Sequence, residues 1–548
     1  MKIIINGKEL VLDEPTSILD LIEEDKFAYQ AARVNNRIRE LNYIITDDAS
    51  VELLNLSDSN AVTIYQSTLR YLIVMAVERV FPKARVIFNY SVSRSIFASI
   101  SNINHALFPD DLDLIQDELV KIINQDLPIR RSTVSKSEAI KYYEEIGYKD
   151  KVKILKYRPE DEVHMYECDG YKNYMFGYML PSTGFIREYK LKLYSPGFII
   201  QYPRSETLGQ IPPFKDEKVY QNVLKEANIW GNITSSGYIS QLNEIIENGK
   251  ALEFINICET RHNNQLADLG NKILKNIDTI KLIAVAGPSS SGKTTFTNRL
   301  RITLKSLGID PFMISIDDFY MPGPNKIVDE FGKPDFEHID ALDRKLFNEI
   351  MYKLIAGEEV RLPHYSFKDR SRSFSEPVKL QKRQPILIEG IHALNDDLTP
   401  SIANEMKFKV YIAPQPQLHI DDHNPLSISD IRLIRRMVRD FETRNTSCEK
   451  TLDMWSSVRR GEFKWIYPHQ ANADFVYNSE LTYELCVLKN HALPLFETVS
   501  PVSPYYIQAN RIIKFLKYFK DISDKWIPCN SIVREFIGGS IFYTDDLS

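Results

Sequence analysis

Cysteine is scarce and solitary: five residues in 548, at 168, 258, 448, 486 and 529, with no Cys-x-x-Cys pair. That spacing excludes a zinc cluster of the ribbon type and a disulfide framework, and a reducing compartment fits it best. Long apolar runs are missing too. No stretch approaches the roughly 18 apolar residues of a membrane-crossing helix, and the opening MKIIINGKEL lacks the apolar core and small-residue cleavage site of a secretory leader. An excess of either charge is also absent, with 68 Lys+Arg against 74 Asp+Glu and a formal net charge of −6. No global basic field draws the chain to nucleic acid or to an anionic bilayer. We therefore expect a cytoplasmic protein without a membrane partner, in which only short basic pieces, Arg130-Arg131 and Arg459-Arg460, offer a hold for RNA.

What is present is an ordinary globular composition, 43% hydrophobic, 26% charged and 11% aromatic, enough for several cores. At about 150 residues per domain the length predicts about three or four domains. The expected class is multidomain, α/β together with α+β. Residues 1–65 open with Lys2-Ile3-Ile4-Ile5, Asn6-Gly7 and Glu9-Leu10-Val11-Leu12, and Asn-Gly between β-prone runs signals a hairpin. A helix is expected over 17–24, capped by Ser17, with Ile18, Leu21 and Ile22 at helical spacing. Strands over 33–35 and 50–54 complete a β-grasp pattern. Residues 66–234 read as α+β, with helices near 68–81, 112–124 and 137–146. A helical connector is expected over 235–276. Residues 277–497 alternate strand and helix, as a parallel sheet flanked by helices requires, and 498–548 form a C-terminal extension with a helix near 509–520.

The sharpest signal is Gly287-Pro288-Ser289-Ser290-Ser291-Gly292-Lys293-Thr294-Thr295. It follows the apolar strand Leu282–Ala286 and precedes a helix with Phe296, Leu300, Leu304 and Leu307 inward. This is a P-loop in the strand-to-helix context the motif requires. Glycines let backbone N–H groups approach phosphates, and the helix N-terminus favours negative charge. Lys293 reaches the β and γ phosphates and the Thr294 hydroxyl suits Mg²⁺. All nine residues are assigned to nucleotide binding, with ATP and Mg²⁺ as the expected cofactors.

The next strand, 312–316, ends in Asp317-Asp318-Phe319-Tyr320, and ligands in open parallel sheets sit at the carboxyl ends of strands. Asp317 is the candidate base for an acceptor hydroxyl; an Asp in that position can equally start a turn. A third buried strand ends at Glu389, which either holds a Mg²⁺-bound water or lies in solvent. The helix from 430 to 444 carries Arg432, Arg435, Arg436 and Arg439 on one face. Two readings of that face stand: a lid whose guanidinium groups neutralise a transferring phosphoryl group, or a solvated helix surface. On the lid reading Arg435 is catalytic, Arg436 binds nucleotide and Arg432 binds substrate.

With these residues in place, the C-terminal half resembles the uridine kinase and phosphoribulokinase family. GPSSSGKTT is followed, in that family's order, by DDFY (317–320), DFEHIDALD (335–343), LPHYSF (362–367), IEGIHAL (388–394) and RLIRRMVRD (432–440). The resemblance implies transfer of the ATP γ phosphate to the 5′-hydroxyl of a nucleoside, uridine or cytidine, as in pyrimidine salvage. It implies Asp317 as base, Thr294, Asp317 and Glu389 around Mg²⁺, and ribose recognition by Glu337, where the family carries an Asp. It also implies a base pocket made by Tyr320, Tyr365 and Phe367. The chain departs from the pattern at Asp369-Arg370, where the family has a base-contacting His, and in an insertion over 414–429. A different small alcohol as acceptor, and an RNA-binding regulator that uses the P-loop as a switch, remain open.

The N-terminal half resembles the first two domains of threonyl-tRNA synthetase, a TGS β-grasp and an editing domain, through DLDLIQDELVKIINQDLPIRRSTVSKSEAI and LPSTG at 180–184. The His-x-x-x-His pair of that editing site is replaced here by Gln66 and Arg70, and its Cys-x-x-x-His by Met175 and Met179. Without imidazole or thiolate the site lacks the bases and metal-ligand types of deacylation. No aminoacyl-tRNA deacylation is therefore expected, which leaves RNA binding, ligand sensing or a homo-oligomer contact for this half.

Overall fold

The computed structural model describes residues 1–543 apart from 217, 324–326, 329–331, 333–334, 367–368 and 417. Phe367, assigned above to the base pocket, lies outside the described residues. At the N-terminus Asn6 and Gly7 take φ of +46° and +83°, the left-handed steps of a tight hairpin turn, and Lys2–Ile5 pairs antiparallel with Lys8–Val11. The sheet runs in the order Lys8–Val11, Lys2–Ile5, Ala49–Leu54, Ala31–Val34, Arg37–Arg39, with Lys2–Ile5 parallel to Ala49–Leu54. This is the expected β-grasp.

The helix expected over 17–24 is not there. One 3₁₀ turn, Leu19–Leu21, stands in its place, because Thr16–Ser17 is drawn into a strand pair with Ile44–Ile45 and the chain is extended again at Ile22. Tertiary pairing overrides the local period. Farther on, the helix expected from 68 begins at Ser59 and runs to Val80, because Asp58 accepts from the N–H groups of Asn60 and Ala61 and caps it there. It spans position 65 without a break. Ile3 and Val51 of the β-grasp share one apolar core with Leu72, Phe88 and Phe198 of the α+β unit.

In the C-terminal half five parallel strands lie in the order Phe312–Ser315, Ile386–Glu389, Leu282–Ala286, Lys407–Ala413, Phe475–Asn478. Both faces are covered, so the strands are buried and mostly apolar rather than alternating, with Lys407 and Lys409 paired to Asp396 as the exception. Ile283 and Val285 of the P-loop strand point into one core and Leu282, Ala284 and Ala286 into another. The C-terminal extension belongs to the first of these cores, through Ile512 and Leu516 of the helix Tyr506–Leu516 and through Ile532 and Phe536.

The insertion at 414–429 forms a short hairpin, His419–Asp421 against Asn424–Pro425, that reaches into the N-terminal half. His419 lies within 3.1 Å of the carbonyls of Phe88 and Asn89, and the Phe88 N–H donates to the Asp422 carbonyl at 2.9 Å. Lys151 and Asp421 meet at 3.0 Å, 1% and 0% exposed. Among the described residues no helix is long and apolar enough to cross a membrane.

Candidate active site

The P-loop leaves the central strand at Gly287, where an added Cβ would collide with the Ile412 carbonyl oxygen of the neighbouring strand. Ser290 and Gly292 take φ of +59° and +86°, a left-handed backbone of the kind that makes an anion-binding nest, and Gly292 caps the helix Lys293–Ser306. Lys293 Nζ donates to the Pro288 carbonyl at 3.3 Å. The buried hydroxyls of Ser290, Ser291 and Thr295 have no hydrogen-bond partner among the described residues.

Parallel register brings the acids to the same edge of the sheet. Glu389 pairs with Val285 on one side and Ser315 on the other, so it stands between the strand that leads to Gly287 and the strand that leads to Asp317. Asp317 sits in the turn Ile316–Phe319, reachable by solvent yet walled by protein that desolvates it. That desolvation raises its pKa, with Asp318 adding to the effect and Lys293 opposing it. Burial pushes Glu389 up to about 7, reinforced by Asp317 and opposed by Lys293. Glu337 is also pushed up to about 7, by burial and then by Glu462, against Arg436 and Lys293. Three carboxyl groups thus share Lys293, with Arg436 acting on Glu337 and Arg444 on Asp317, and a divalent cation would relieve the repulsion among the acids. No group of three or more His, Cys, Asp or Glu at metal-binding distance occurs among the described residues. The set therefore fits Mg²⁺ held through one or two protein oxygens, phosphates and water, and not an all-protein cage.

The arginine helix Ile428–Arg444 corrects the single stripe expected above. Arg432 and Arg435 are 1% and 0% exposed, and buried guanidinium groups require carboxylate partners. Arg432 takes both oxygens of Glu462. Arg435 takes Glu484, at 3.0 Å from Nε, and the Ser479 carbonyl at 2.7 Å. These partners lie 30 and 49 residues along the chain, beyond the reach of helical spacing. The assignments of Arg435 to catalysis and Arg432 to substrate thus give way to positioning. Arg432 Nε donates to the Ser289 carbonyl at 3.0 Å, and the Ser289 N–H donates to Glu462 at 3.3 Å, so one ion pair clamps both sides of a P-loop residue. Burial alone would raise Glu462, but Arg432 and Arg459 hold it below the usual carboxylate range. Arg436 keeps contact with the loop, donating to Ser289 Oγ at 2.8 Å. It shares the single carboxylate of Asp440 with Arg439 and Arg444. The cationic surplus of the helix therefore lies with these three, and Arg444 faces Asp317.

Beside the acids, the rings of Tyr320 and Tyr365 lie 5.7 Å apart, both buried in the core beneath the sheet. Asp318, which the sequence left without a role, accepts from the Tyr365 N–H at 3.2 Å and faces His364 at 3.1 Å. Glu337 packs on Gly461, where an added Cβ would come within 2.5 Å of its own Cβ. Sequence reasoning missed Glu462, Asp440 and His392. The last is buried beside Trp465, and burial lowers its pKa to about 4. His392 was visible inside IEGIHAL and Asp440 at the end of RLIRRMVRD; Glu462 carries no motif.

The hairpin also docks on the N-terminal half at Arg70, Asn173 and Phe176. Arg70 donates to the His423 carbonyl, Asn173 Nδ2 lies 2.9 Å from His423 Nδ1, and the Phe176 N–H donates to Asn424 at 2.9 Å. The His423 ring lies 5.5 Å from that of Tyr148. Burial, with Lys151 and Arg70 beside it, holds its pKa well below the usual imidazole range.

Residues 282–484 match the family model described as "Phosphoribulokinase / Uridine kinase family". A uridine kinase of Borrelia duttonii is 29% identical over 198 residues, 36% of this chain and 85% of that protein. The N-terminal part is similar to a threonine-tRNA ligase of Carboxydothermus hydrogenoformans, 29% identical over 161 residues, 29% of this chain and 25% of that protein. The chain spans about a quarter to a third of the length of such ligases. A solved structure described as a "possible uridine kinase" from Bacillus stearothermophilus is 20% identical, covering 39% of this chain and 98% of that one, with a TM-score of 0.24. Residues 282–484 are thus a phosphoribulokinase/uridine kinase family domain, carried in one chain with an N-terminal part similar to threonine-tRNA ligase.

Proposed function

We propose that this chain is a Mg²⁺- and ATP-dependent kinase that phosphorylates the 5′-hydroxyl of a pyrimidine nucleoside, uridine or cytidine. The observation that carries the reading is the convergence of Asp317, Glu337 and Glu389 with Lys293 at the P-loop end of one parallel sheet. Asp317 accepts the acceptor hydroxyl's proton and aims its oxygen at the γ phosphorus. The new O–P bond forms as the bond from the γ phosphorus to the β–γ bridging oxygen breaks, and ADP leaves. Lys293, Arg436 and Arg444 hold the charge that spreads over the transferring group. When bound, Mg²⁺ neutralises the β and γ oxygens; Thr294, Asp317 and Glu389 are the oxygen ligands this chain offers it. Glu337 suits the ribose hydroxyls, and the paired rings of Tyr320 and Tyr365 together offer one aromatic wall to the base. The division into units at 1–65, 66–234, 235–276, 277–497 and 498–548, with the first boundary drawn back to the Asp58 cap of the helix that spans residue 65, the cytoplasmic location, and an N-terminal half without deacylase activity belong to the same proposal.

The test is a coupled ADP-release assay with a panel of nucleosides, sugar phosphates and pantothenate. Turnover with uridine or cytidine, lost in Asp317→Asn and with a raised nucleoside KM in Glu337→Gln, is the expected result. Turnover confined to a sugar phosphate or pantothenate, indifferent to Glu337→Gln, would replace the acceptor. Silence across the panel would sink the kinase reading.

A further inference from the structure

The C-terminal extension returns to the P-loop and covers it. Thr295, the second residue after the P-loop lysine, donates its N–H to Glu535 Oε2 at 3.0 Å in a buried contact. Lys293 and Thr294 serve the β and γ phosphates and Mg²⁺, so the N–H one step farther along the helix lies on the α-phosphate side. A carboxylate there supplies the negative charge that a helix N-terminus otherwise takes from a phosphate. Ile532 sits on Gly292 so closely that an added Cβ would come to 2.6 Å from its Cγ2. The Phe536 ring lies 5.0 Å from the Arg435 guanidinium, a flat π surface on a cation such as a nucleobase would also present.

From these contacts we infer that residues 531–537 occupy the seat of the donor nucleotide's base and α phosphate, and compete with ATP as an internal mimic. The inference rests on the nucleotide-site reading above and adds its regulation. Three features fit an occupant that leaves. The segment covers the loop without completing it, since the Ser290, Ser291 and Thr295 hydroxyls stay unpartnered among the described residues. Its regular structure is a single helical turn, Arg534–Ile537. That turn ends in Gly538 and Gly539, both at positive φ, where the backbone is free to re-aim. Against release stands the burial of Ile532, Val533 and Phe536, so the closed form dominates and apparent nucleotide affinity falls by the fraction that is open.

The experiment is calorimetric titration of the full chain, and of Glu535→Gln and Phe536→Leu, with Mg²⁺-ADP and a non-hydrolysable ATP analogue. Hydrogen exchange of 531–537 is followed in parallel. Removing one charge-assisted contact of the competitor should tighten nucleotide binding about tenfold in Glu535→Gln, and nucleotide should speed exchange in the segment. If wild type binds nucleotide, neither variant tightens it and exchange in 531–537 slows or holds, the segment is a fixed wall and the inference is overturned while the kinase reading stands. Absence of nucleotide binding to the wild type and both folded variants overturns both. Should a variant fail to fold, the exchange response of the wild type decides alone.

Discussion

The P-loop end of the sheet and the junction between the halves both crowd buried carboxyl groups around one lysine, and they differ in whether the chain itself fills the space beside them. At the P-loop, Asp317, Glu337 and Glu389 gather around one lysine, and burial with mutual repulsion lifts their pKa values. At the junction Asp150, Asp421 and Asp422 share Lys151, and burial raises Asp150 and pushes Asp422 up to about 7, but here the hairpin residues fill the space. Lys151 meets Asp421, Arg70 meets the His423 carbonyl, and Asn173 meets the His423 ring. The comparison teaches that occupancy and not charge separates them: the Ser290, Ser291 and Thr295 hydroxyls of the P-loop stay unpartnered among the described residues, whereas the hairpin at 419–425 docks on Arg70, Asn173 and Phe176 and joins the halves.

The largest effect that can break this contrast is chemical. Asp317→Asn should lower kcat by about 10²–10⁴-fold, the worth of a general base, with unfolding unchanged, and a loss within threefold would remove Asp317 from the chemistry. Next comes the joint. Lys151→Met leaves Asp421 buried and unpaired and should cost about 3–5 kcal/mol in urea unfolding; a cost under about 1 kcal/mol would mean that the hairpin does not join the halves. Glu462→Gln strips Arg432 and Arg459 of their shared carboxylate. It should destabilise by about 2–4 kcal/mol and raise the KM for ATP through the loosened Ser289, and a stable variant with unchanged KM would return Arg432 to the lid.

A smaller effect sharpens the ligand side. Glu337 and Glu389 have folded pKa values raised to about 7. Their protonated forms favour the fold below the unfolded carboxylate pKa, and that contribution is lost as pH rises from about 4.5 through 7. Mg²⁺-ADP relieves the charged forms, so its thermal stabilisation should be greater at pH 8 than at pH 6. An equal shift at both pH values would show the carboxyls to be remote from the metal. Smallest of all, Asp278→Asn removes an exposed partner of Arg383 and should change stability by less than about 1 kcal/mol, a baseline for the joint variants.

Much of this was legible in the chain. The Asn6-Gly7 turn, the apolar strand before GPSSSGKTT, and Asp317 and Glu389 at strand ends could be read locally, because hairpin turns, buried parallel strands and P-loops are set by neighbours in sequence. The helix expected over 17–24 failed because its first residues were claimed by the distant strand Ile44–Ile45. The arginine face was misread for the same kind of reason: a helical period shows which residues share a side, and not whether Glu462 or Glu484 comes to meet them.

The sequence by itself determined the β-grasp start, the parallel sheet, the P-loop and its acids, and the absence of imidazole and thiolate from positions 66, 70, 175 and 179. Only tertiary structure decided that Arg432 and Arg435 brace the P-loop, that residues 419–425 dock on Arg70 and Asn173, and that Glu535 reaches Thr295 across 240 residues of chain. The physical reason is range. Backbone conformation and apolar period are fixed within a few residues, but charge neutralisation of buried groups is settled by whichever partner the completed fold delivers.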